Sequence, residues 1–373
     1  MPGTQSSEQA RAPAAAVRPL RIGVVGVGRI GRMHAELLAR QVPGAALAMV
    51  HDIFPGTARA VGVKLGVPTA ATVEELMTSP DVDAVAICAS TETHADLLVA
   101  AARAGKPAFC EKPISLDLAE VDRALAAIEE SGIAVQIGFN RRFDPAHRSV
   151  AEAVADGTIG DVHLVRISSR DPAPPPLEYV RGSGGIFLDM TIHDFDMARY
   201  VTGSEVVEVF ARGALRVEPT FAEVGDVDTA VVTLTHENGC LTVIDNSREA
   251  VYGYDQRVEA FGALGMAASE NPLAHTGVVR TADGTSAAAL PHFFLDRYVP
   301  SYLGEWAAFV EAVREERTPP VTATDGRAPL VIGLAAWRSL REGRPVAVAE
   351  LNEAPPSAPA QGAQPPGGGT RWA

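Results

Sequence analysis

The chain has 373 residues, of which 47% are hydrophobic and 21% charged, so at about 150 residues per domain it holds two or three ordinary globular units. Its net charge of −14, with no basic cluster, excludes the concentrated cations that phosphate neutralisation needs, and neither nucleic acid nor an anionic membrane is an expected partner. Three cysteines (Cys88, Cys110, Cys240) without a Cys-x-x-Cys spacing argue against a disulfide scaffold and a zinc site, so no metal is expected; no apolar run is long enough to span a membrane.

Residues 1–17 are polar and rich in Ala and Pro. They lack the sustained apolar stretch of a signal peptide, which makes a cytoplasmic location the expectation. Residues 353–373 are dominated by Pro, Gly, Ala and Gln. Neither segment can bury enough surface to offset its ordering entropy, and both are expected as disordered tails. The body between them divides near residue 140, into an expected nucleotide-binding unit (18–140) and an expected substrate-binding and oligomerisation unit (141–352).

In the first unit, apolar runs at 20–25, 46–51, 84–88, 108–110 and 134–138 alternate with helix-like stretches at 28–41, 93–104 and 117–132. Fully apolar strands alternating with helices predict a parallel, doubly wound sheet. After the first strand comes Gly26-Val27-Gly28-Arg29-Ile30-Gly31. In a strand–turn–helix setting, Gly26 permits the tight turn, Gly28 lets the backbone approach a pyrophosphate, and Gly31 lets helix and strand pack closely. The helix N-terminus then offers free N–H groups to the phosphates. Asp52 closes the second strand at the spacing where a carboxylate grips a ribose diol and repels a 2′-phosphate, which favours NAD over NADP. An Asp capping the turn at Pro55-Gly56 would use the same residue. Ser90 and Thr91 follow the run at 84–88, at the strand ends where ligands of such sheets lie; Thr93 serves equally as a helix cap.

Glu111-Lys112-Pro113 follows the run at 108–110. The chain has 29 arginines and only three lysines, Lys64, Lys106 and Lys112. Arginine therefore supplies nearly all positive charge, and a lysine marks a place where a compact donor with a tunable pKa is wanted. Lys112 lies at a strand end facing the expected nicotinamide. Lys64 and Lys106 read as solvated, Glu111 as an ion-pair partner or a cofactor contact. A turn fixed by Pro113 would also explain the motif.

From residue 162 the pattern changes to alternating strands at 162–168, 206–211, 229–235, 241–246 and 256–261, which predicts a largely antiparallel sheet. Helices are expected at 189–201, 301–315 and 325–341. On the first of these, Asp189, His193 and Asp196 fall at spacings of four and three, sharing one face. A histidine there can take a proton near neutral pH, with a neighbouring carboxylate to orient it. A capping Asp beside a surface His would show the same spacing.

Taken together, the glycine loop, Glu111-Lys112-Pro113, Gly138-Phe139-Asn140-Arg141-Arg142 and the Asp189/His193/Asp196 set resemble the Gfo/Idh/MocA oxidoreductases over residues 20–350. The resemblance implies an α/β protein: an N-terminal Rossmann domain plus a C-terminal α/β domain with an open, mostly antiparallel sheet. It implies NAD as cofactor, bound by the glycine loop with Asp52, Ser90, Thr91, Glu111 and Lys112. It implies Lys112, Asp189 and His193 as the catalytic set, with His193 as base, Lys112 on the reacting oxygen and Asp189 orienting the imidazolium. It further implies Arg141, Asp171 and Tyr254, beside Asp189 and His193, as contacts to a cyclic polyol, and a dimer or tetramer built on the open sheet face. The segment Tyr252-Gly253-Tyr254-Asp255-Gln256-Arg257, with Gly262 and Gly265, is most similar to the inositol-oxidising members. One departure is Ser168-Ser169-Arg170-Asp171-Pro172, where such members often carry His or Asn. Another cyclitol, an aminocyclitol precursor, a sugar, or a non-enzymatic NAD-binding role are the alternatives.

Overall fold

The computed structural model describes residues 18–352; the two expected tails lie outside the described residues. Five strands form the first sheet: β1 (Leu20–Val25), β2 (Ala45–His51), β3 (Ala84–Ile87), β4 (Ala108–Cys110) and β5 (Val135–Ile137). Their order is β2-β1-β3-β4-β5 and every pairing is parallel. The helices between them are α1 (Arg29–Arg40), α2 (Pro55–Leu65), α3 (Val73–Thr78), α4 (Thr91–Arg103) and α5 (Leu118–Ser131). Every residue of β3 and β4 is buried, as strands covered by helices on both faces must be. The order reverses between β1 and β3, which opens a crevice at the carboxyl ends of these strands. Asp117 caps α5 by accepting from the Ala119 N–H at 2.8 Å, and Gly132 stops it in the left-handed conformation.

A short 3-10 turn (Asn140–Phe143) and α6 (Pro145–Ala155) lead into the second sheet. Its strands are β6 (Val162–Arg170), β7 (Val206–Ala214), β8 (Thr229–His236), β9 (Leu241–Ser247), β10 (Asp255–Gly262), β11 (Gly265–Ser269) and, beyond a separate hairpin of β12 (Val278–Thr281) and β13 (Gly284–Ala287), β14 (Val346–Ala347). The order is β11-β10-β6-β9-β8-β7-β14. All neighbours are antiparallel except β6 and β9, which run parallel at the centre. Helices α7 (Leu177–Ser183), α8 (Gly185–Asp189) and α9 (Ile192–Thr202) lie between β6 and β7, and α10 (Phe294–Arg297), α11 (Val299–Arg314), α12 (Ala323–Glu342) and α13 (Ala349–Asn352) fall in the last part of the chain. One sheet face packs on a core that includes Ile186, Phe187, Phe195, Val201 and Ala335, while the other leaves Val231, Leu241, Phe261 and Met266 about half exposed. Helix α11 crosses back to the first sheet, where Tyr302, Trp306 and Phe309 join Ile22, Val24 and Phe109 in one cluster. Among the described residues no helix is long and apolar enough to cross a membrane.

The continuous helix expected at 189–201 is broken. Helix α8 ends at Asp189 and α9 starts at Ile192. The Thr191 hydroxyl lies 2.7 Å from Asn246 Oδ1 and 3.1 Å from the Ile186 carbonyl, so it competes with the backbone for that acceptor and pins the break to β9.

Candidate active site

The glycine loop leaves β1 with Gly26 at φ +83°, and a Cβ there would meet Ala89 Cα at 2.5 Å. A Cβ on Gly31 would strike the Gly26 carbonyl. Around Gly28, by contrast, nothing lies within 4 Å of a built Cβ: the loop keeps one open face, and it is the face at the start of α1. That opening is the cradle a pyrophosphate requires. Asp52 closes the loop from the other side. Its Oδ2 accepts from Val27 N and its Oδ1 from Phe54 N, each at 2.9 Å, so the turn-capping and loop-closing uses coexist.

One continuous cleft of about 2070 Å³ runs from this loop between the two sheets. Of the residues singled out in the sequence, Gly26, Gly28, Arg29, Ile30, Asp52, Ser90, Thr91, Glu111, Lys112, Arg141, Asp171, Asp189, His193 and Tyr254 line it; Val27 and Gly31 do not. The Arg29 guanidinium turns onto Phe293 and Phe294, 5.6 and 5.8 Å from their ring centroids. Thr93 lies inside α4, whose N-cap is Ser90.

Lys112 projects from the end of β4, and its Nζ donates to the Asp189 carbonyl at 3.1 Å. Glu111 turns the other way. Its Oε1 is 2.8 Å from His34 Nε2, and His34 Nδ1 receives the Trp306 Nε1–H at 2.9 Å, which leaves the proton on Nε2 for Glu111. Burial opposes ionisation of Glu111, yet the His34 bond and the Lys112 charge hold its pKa below the usual carboxylate value. The expected ion pair of Glu111 with its neighbour is therefore a pair with a helix α1 histidine. Lys106, expected as solvated, donates to the carbonyls of Ser79 (2.9 Å) and Val82, and desolvation lowers its pKa.

The break between α8 and α9 separates the three residues expected on one face. Asp196 points away and accepts three bonds from Arg142, of 3.1, 2.9 and 2.6 Å. The Asp189 carboxylate does not orient His193: its Oδ1 accepts from Tyr179 OH at 2.8 Å and its Oδ2 from Arg248 Nη1 at 3.0 Å. His193 stands beside Phe139, ring centroids 5.9 Å apart, and its buried Nδ1 has no partner among the described residues. Burial first, then the charges of Lys112 and Arg141, push its pKa well below the ordinary value, which favours the unprotonated ring.

Two charged residues of the site were not foreseen. Asp194 is fully buried and binds Arg141 Nη1 (2.6 Å), the Ser169 hydroxyl (2.5 Å) and Asn246 Nδ2 (2.8 Å). It fixes the Arg141 side chain against the cleft. Arg248 follows β9 with no local pattern to mark it. Asp171 lies at the end of β6 with no hydrogen bond to its carboxylate among the described residues; burial raises its pKa to about 6, against the opposing charge of Arg248. Among the described residues no group of three His, Cys, Asp or Glu could hold a metal ion.

A glycine loop with one open face at one end of the cleft, and Lys112 and His193 at the other, are the setting of an NAD-dependent dehydrogenase, and that is the class of this chain. It belongs to the Gfo/Idh/MocA oxidoreductases: residues 20–139 match the oxidoreductase family with NAD-binding Rossmann fold, and residues 147–268 match the GFO/IDH/MocA C-terminal domain. The chain is 49% identical to the myo-inositol 2-dehydrogenase of Thermotoga maritima over 333 residues, 89% of this chain and 99% of that one. Among solved structures it is similar to a myo-inositol dehydrogenase from Corynebacterium glutamicum (TM-score 0.84, 40% identity, 88% and 98% of the two chains). It is similar also to the scyllo-inositol dehydrogenase from Lactobacillus casei with NAD(H) and scyllo-inositol bound (TM-score 0.84, 30% identity, 89% and 100%).

Proposed function

We propose that the chain oxidises one secondary ring alcohol of a cyclic polyol, with myo-inositol as substrate and 2-keto-myo-inositol (scyllo-inosose) as product. The observation that carries this reading is the set of unmet polar groups in one wall of the cleft. Asn140 Nδ2 and His193 Nδ1 are buried without partners, and the Asp171 carboxylate stands without a hydrogen bond among the described residues. Unpaired buried donors and acceptors cost free energy until a ligand satisfies them, and a ring with a hydroxyl on every carbon both donates and accepts at each position. Arg141 is already neutralised by Asp194, and Arg248 lies among carboxylates, so neither arginine calls for an anionic substrate. The names of the relatives point the same way.

In this mechanism Lys112 Nζ, steadied by the Asp189 carbonyl, donates to the oxygen of the reacting alcohol. His193 removes the hydroxyl proton. Arg141, Asp171 and Tyr254 hold neighbouring hydroxyls. NAD⁺, when bound through the glycine loop, Asp52, Ser90 and Thr91, supplies the oxidant for the carbinol carbon. We assign the enzyme to cyclitol breakdown in the cytoplasm, as a homotetramer closed over the open sheet face; the apolar side chains half exposed there support that assembly.

The test is the initial rate of NAD⁺ reduction with myo-inositol, scyllo-inositol and glucose. The highest kcat/KM is expected for myo-inositol. Faster turnover of glucose than of either inositol overturns the substrate assignment.

A further inference from the structure

Arg248 is a charged side chain placed where a charge is costly. It is 2% exposed, and its Nε and Nη2 have no hydrogen-bond partner among the described residues. Three carboxylates from three separate elements surround it. Asp189, at the end of α8, accepts from Nη1 at 3.0 Å; Asp171, at the end of β6, stands 3.9 Å from Nη1; Asp226, in the loop before β8, stands 4.0 Å from Nη2. Asp226 is committed elsewhere, its Oδ1 taking the Ile186 and Val227 N–H groups. The other two line the cleft.

Asp189 and Asp171 repel each other, and Asp194 adds to the repulsion while Arg141 opposes it. A cation between two carboxylates at one pocket wall offsets their mutual repulsion. A guanidinium suits the place, since its planar fork fixes direction as well as charge. Tyr179 completes the hold on Asp189 by occupying the oxygen that Arg248 does not.

We propose that Arg248 is a positioning residue of this enzyme: it offsets the repulsion between the Asp189 and Asp171 carboxylates and holds them at a fixed separation, so that the polyol meets acceptors in fixed places. Asp189 in turn sets the Lys112 ammonium through its main-chain carbonyl, which ties the substrate wall to the reacting oxygen. The inference rests on the cyclitol reading for its choice of substrate but not for its logic.

The test compares kcat/KM against pH for the wild type, Arg248→Met, Arg248→Lys and Asp226→Asn, with NAD⁺ affinity measured separately by fluorescence titration. The substrate is whichever alcohol the wild type oxidises fastest; preference for a non-cyclitol overturns the substrate reading, and the same comparison then proceeds on that alcohol. Arg248→Met is expected to lower kcat/KM by roughly 10²-fold, as misplacement of about 1 Å does, and to move the acid limb up by about one pH unit or more. Arg248→Lys should restore the acid limb and only part of the rate. Asp226→Asn removes a competing carboxylate while keeping Oδ1 as an acceptor, so its acid limb should move down. NAD⁺ affinity should stay within about twofold throughout. Arg248→Met with an unshifted acid limb overturns the proposal, whether or not the rate falls, and so does a parallel loss of NAD⁺ affinity. Should Arg248→Met not fold, Asp226→Asn decides: a downward shift supports the proposal, and an unchanged or upward limb overturns it.

Discussion

Lys112 differs from the other two lysines in what its ammonium touches. Among the described residues, the exposed Lys64 reaches a half-buried Glu36 and Lys106 ties a loop through two carbonyls, whereas Lys112 stands in the cleft with a single acceptor at 3.1 Å. Lys112→Arg keeps the charge but replaces a point donor with a wider fork, and a displacement of about 1 Å in the reacting geometry can cost ~10²-fold in rate. We expect a folded, NAD-binding protein with turnover down by about that factor, and Lys64→Arg as a silent control. Near-normal rates for Lys112→Arg would remove this residue from the reaction. Single residues were legible in the sequence where a backbone or charge constraint is local. Gly26 and Gly31 are glycines because a Cβ would collide with main chain, whereas a Cβ on Gly28 would meet nothing within 4 Å, so its constraint does not come from the chain's own packing. Arg248, Asp194 and His34 carry no such local mark. Their partners lie 59, 53 and 77 positions away in the chain, and only folding brings them together.

At the scale of elements, long periodic stretches were readable to within a residue or two; α1, expected at 28–41, runs Arg29–Arg40. The segment 189–201 failed because its interruption is tertiary: Thr191 is pinned by Asn246 from another strand. The parallel central pair β6 and β9 was hidden for the same reason, since pairing of strands far apart in the chain leaves no period in either. Helix α9 is instead placed by ion pairs. Asp196, fully buried, holds Arg142 of the 3-10 turn, and Arg142 also reaches Asp325 at the start of α12 (3.1 Å), where Thr322 and Asp325 form a capping box. Removing one partner of such a pair strands the other charge, at about 3–5 kcal/mol. Asp196→Asn should therefore lower the free energy of urea unfolding by roughly 3 kcal/mol, with NAD⁺ binding to the folded fraction unchanged. A loss below about 1 kcal/mol would mean that solvent reaches the pair.

The molecule as a whole carries a built-in sensitivity to acid. His147 is buried, with Nδ1 2.8 Å from the Ser269 hydroxyl and Nε2 3.4 Å from Tyr298 OH. Burial pushes its pKa from 6.5 down to about 3, Arg297 and Arg141 adding to this and Asp144 opposing it. Between those values the unfolded chain binds a proton that the folded chain refuses. Its contribution to stability is complete above about pH 6.5 and is lost as the pH falls toward about 3. His94, buried between the Pro113 and Ala89 carbonyls, shifts in the same direction. Thermal unfolding followed from about pH 7 to about pH 4 should show a falling Tm, and His147→Gln should flatten that slope even if it lowers Tm at neutral pH. A slope equal to the wild type would clear His147 of the effect.

Helix α11 adds a constraint on how the protein is made. The ring of Trp306 lies 4.5 Å from that of Phe109, and its N–H holds the histidine that faces Glu111. The sheet that binds the dinucleotide is synthesised first, yet part of the cover on one of its faces, beside Ala35, Leu37 and Leu38 of α1, comes from residues 298–310. On the ribosome, the patch around Phe109 stays open to water until nearly all of the other half has emerged. A fragment ending at residue 140 lacks that cover, so cutting the gene at the apparent boundary is expected to yield an insoluble product rather than a free-standing NAD-binding module.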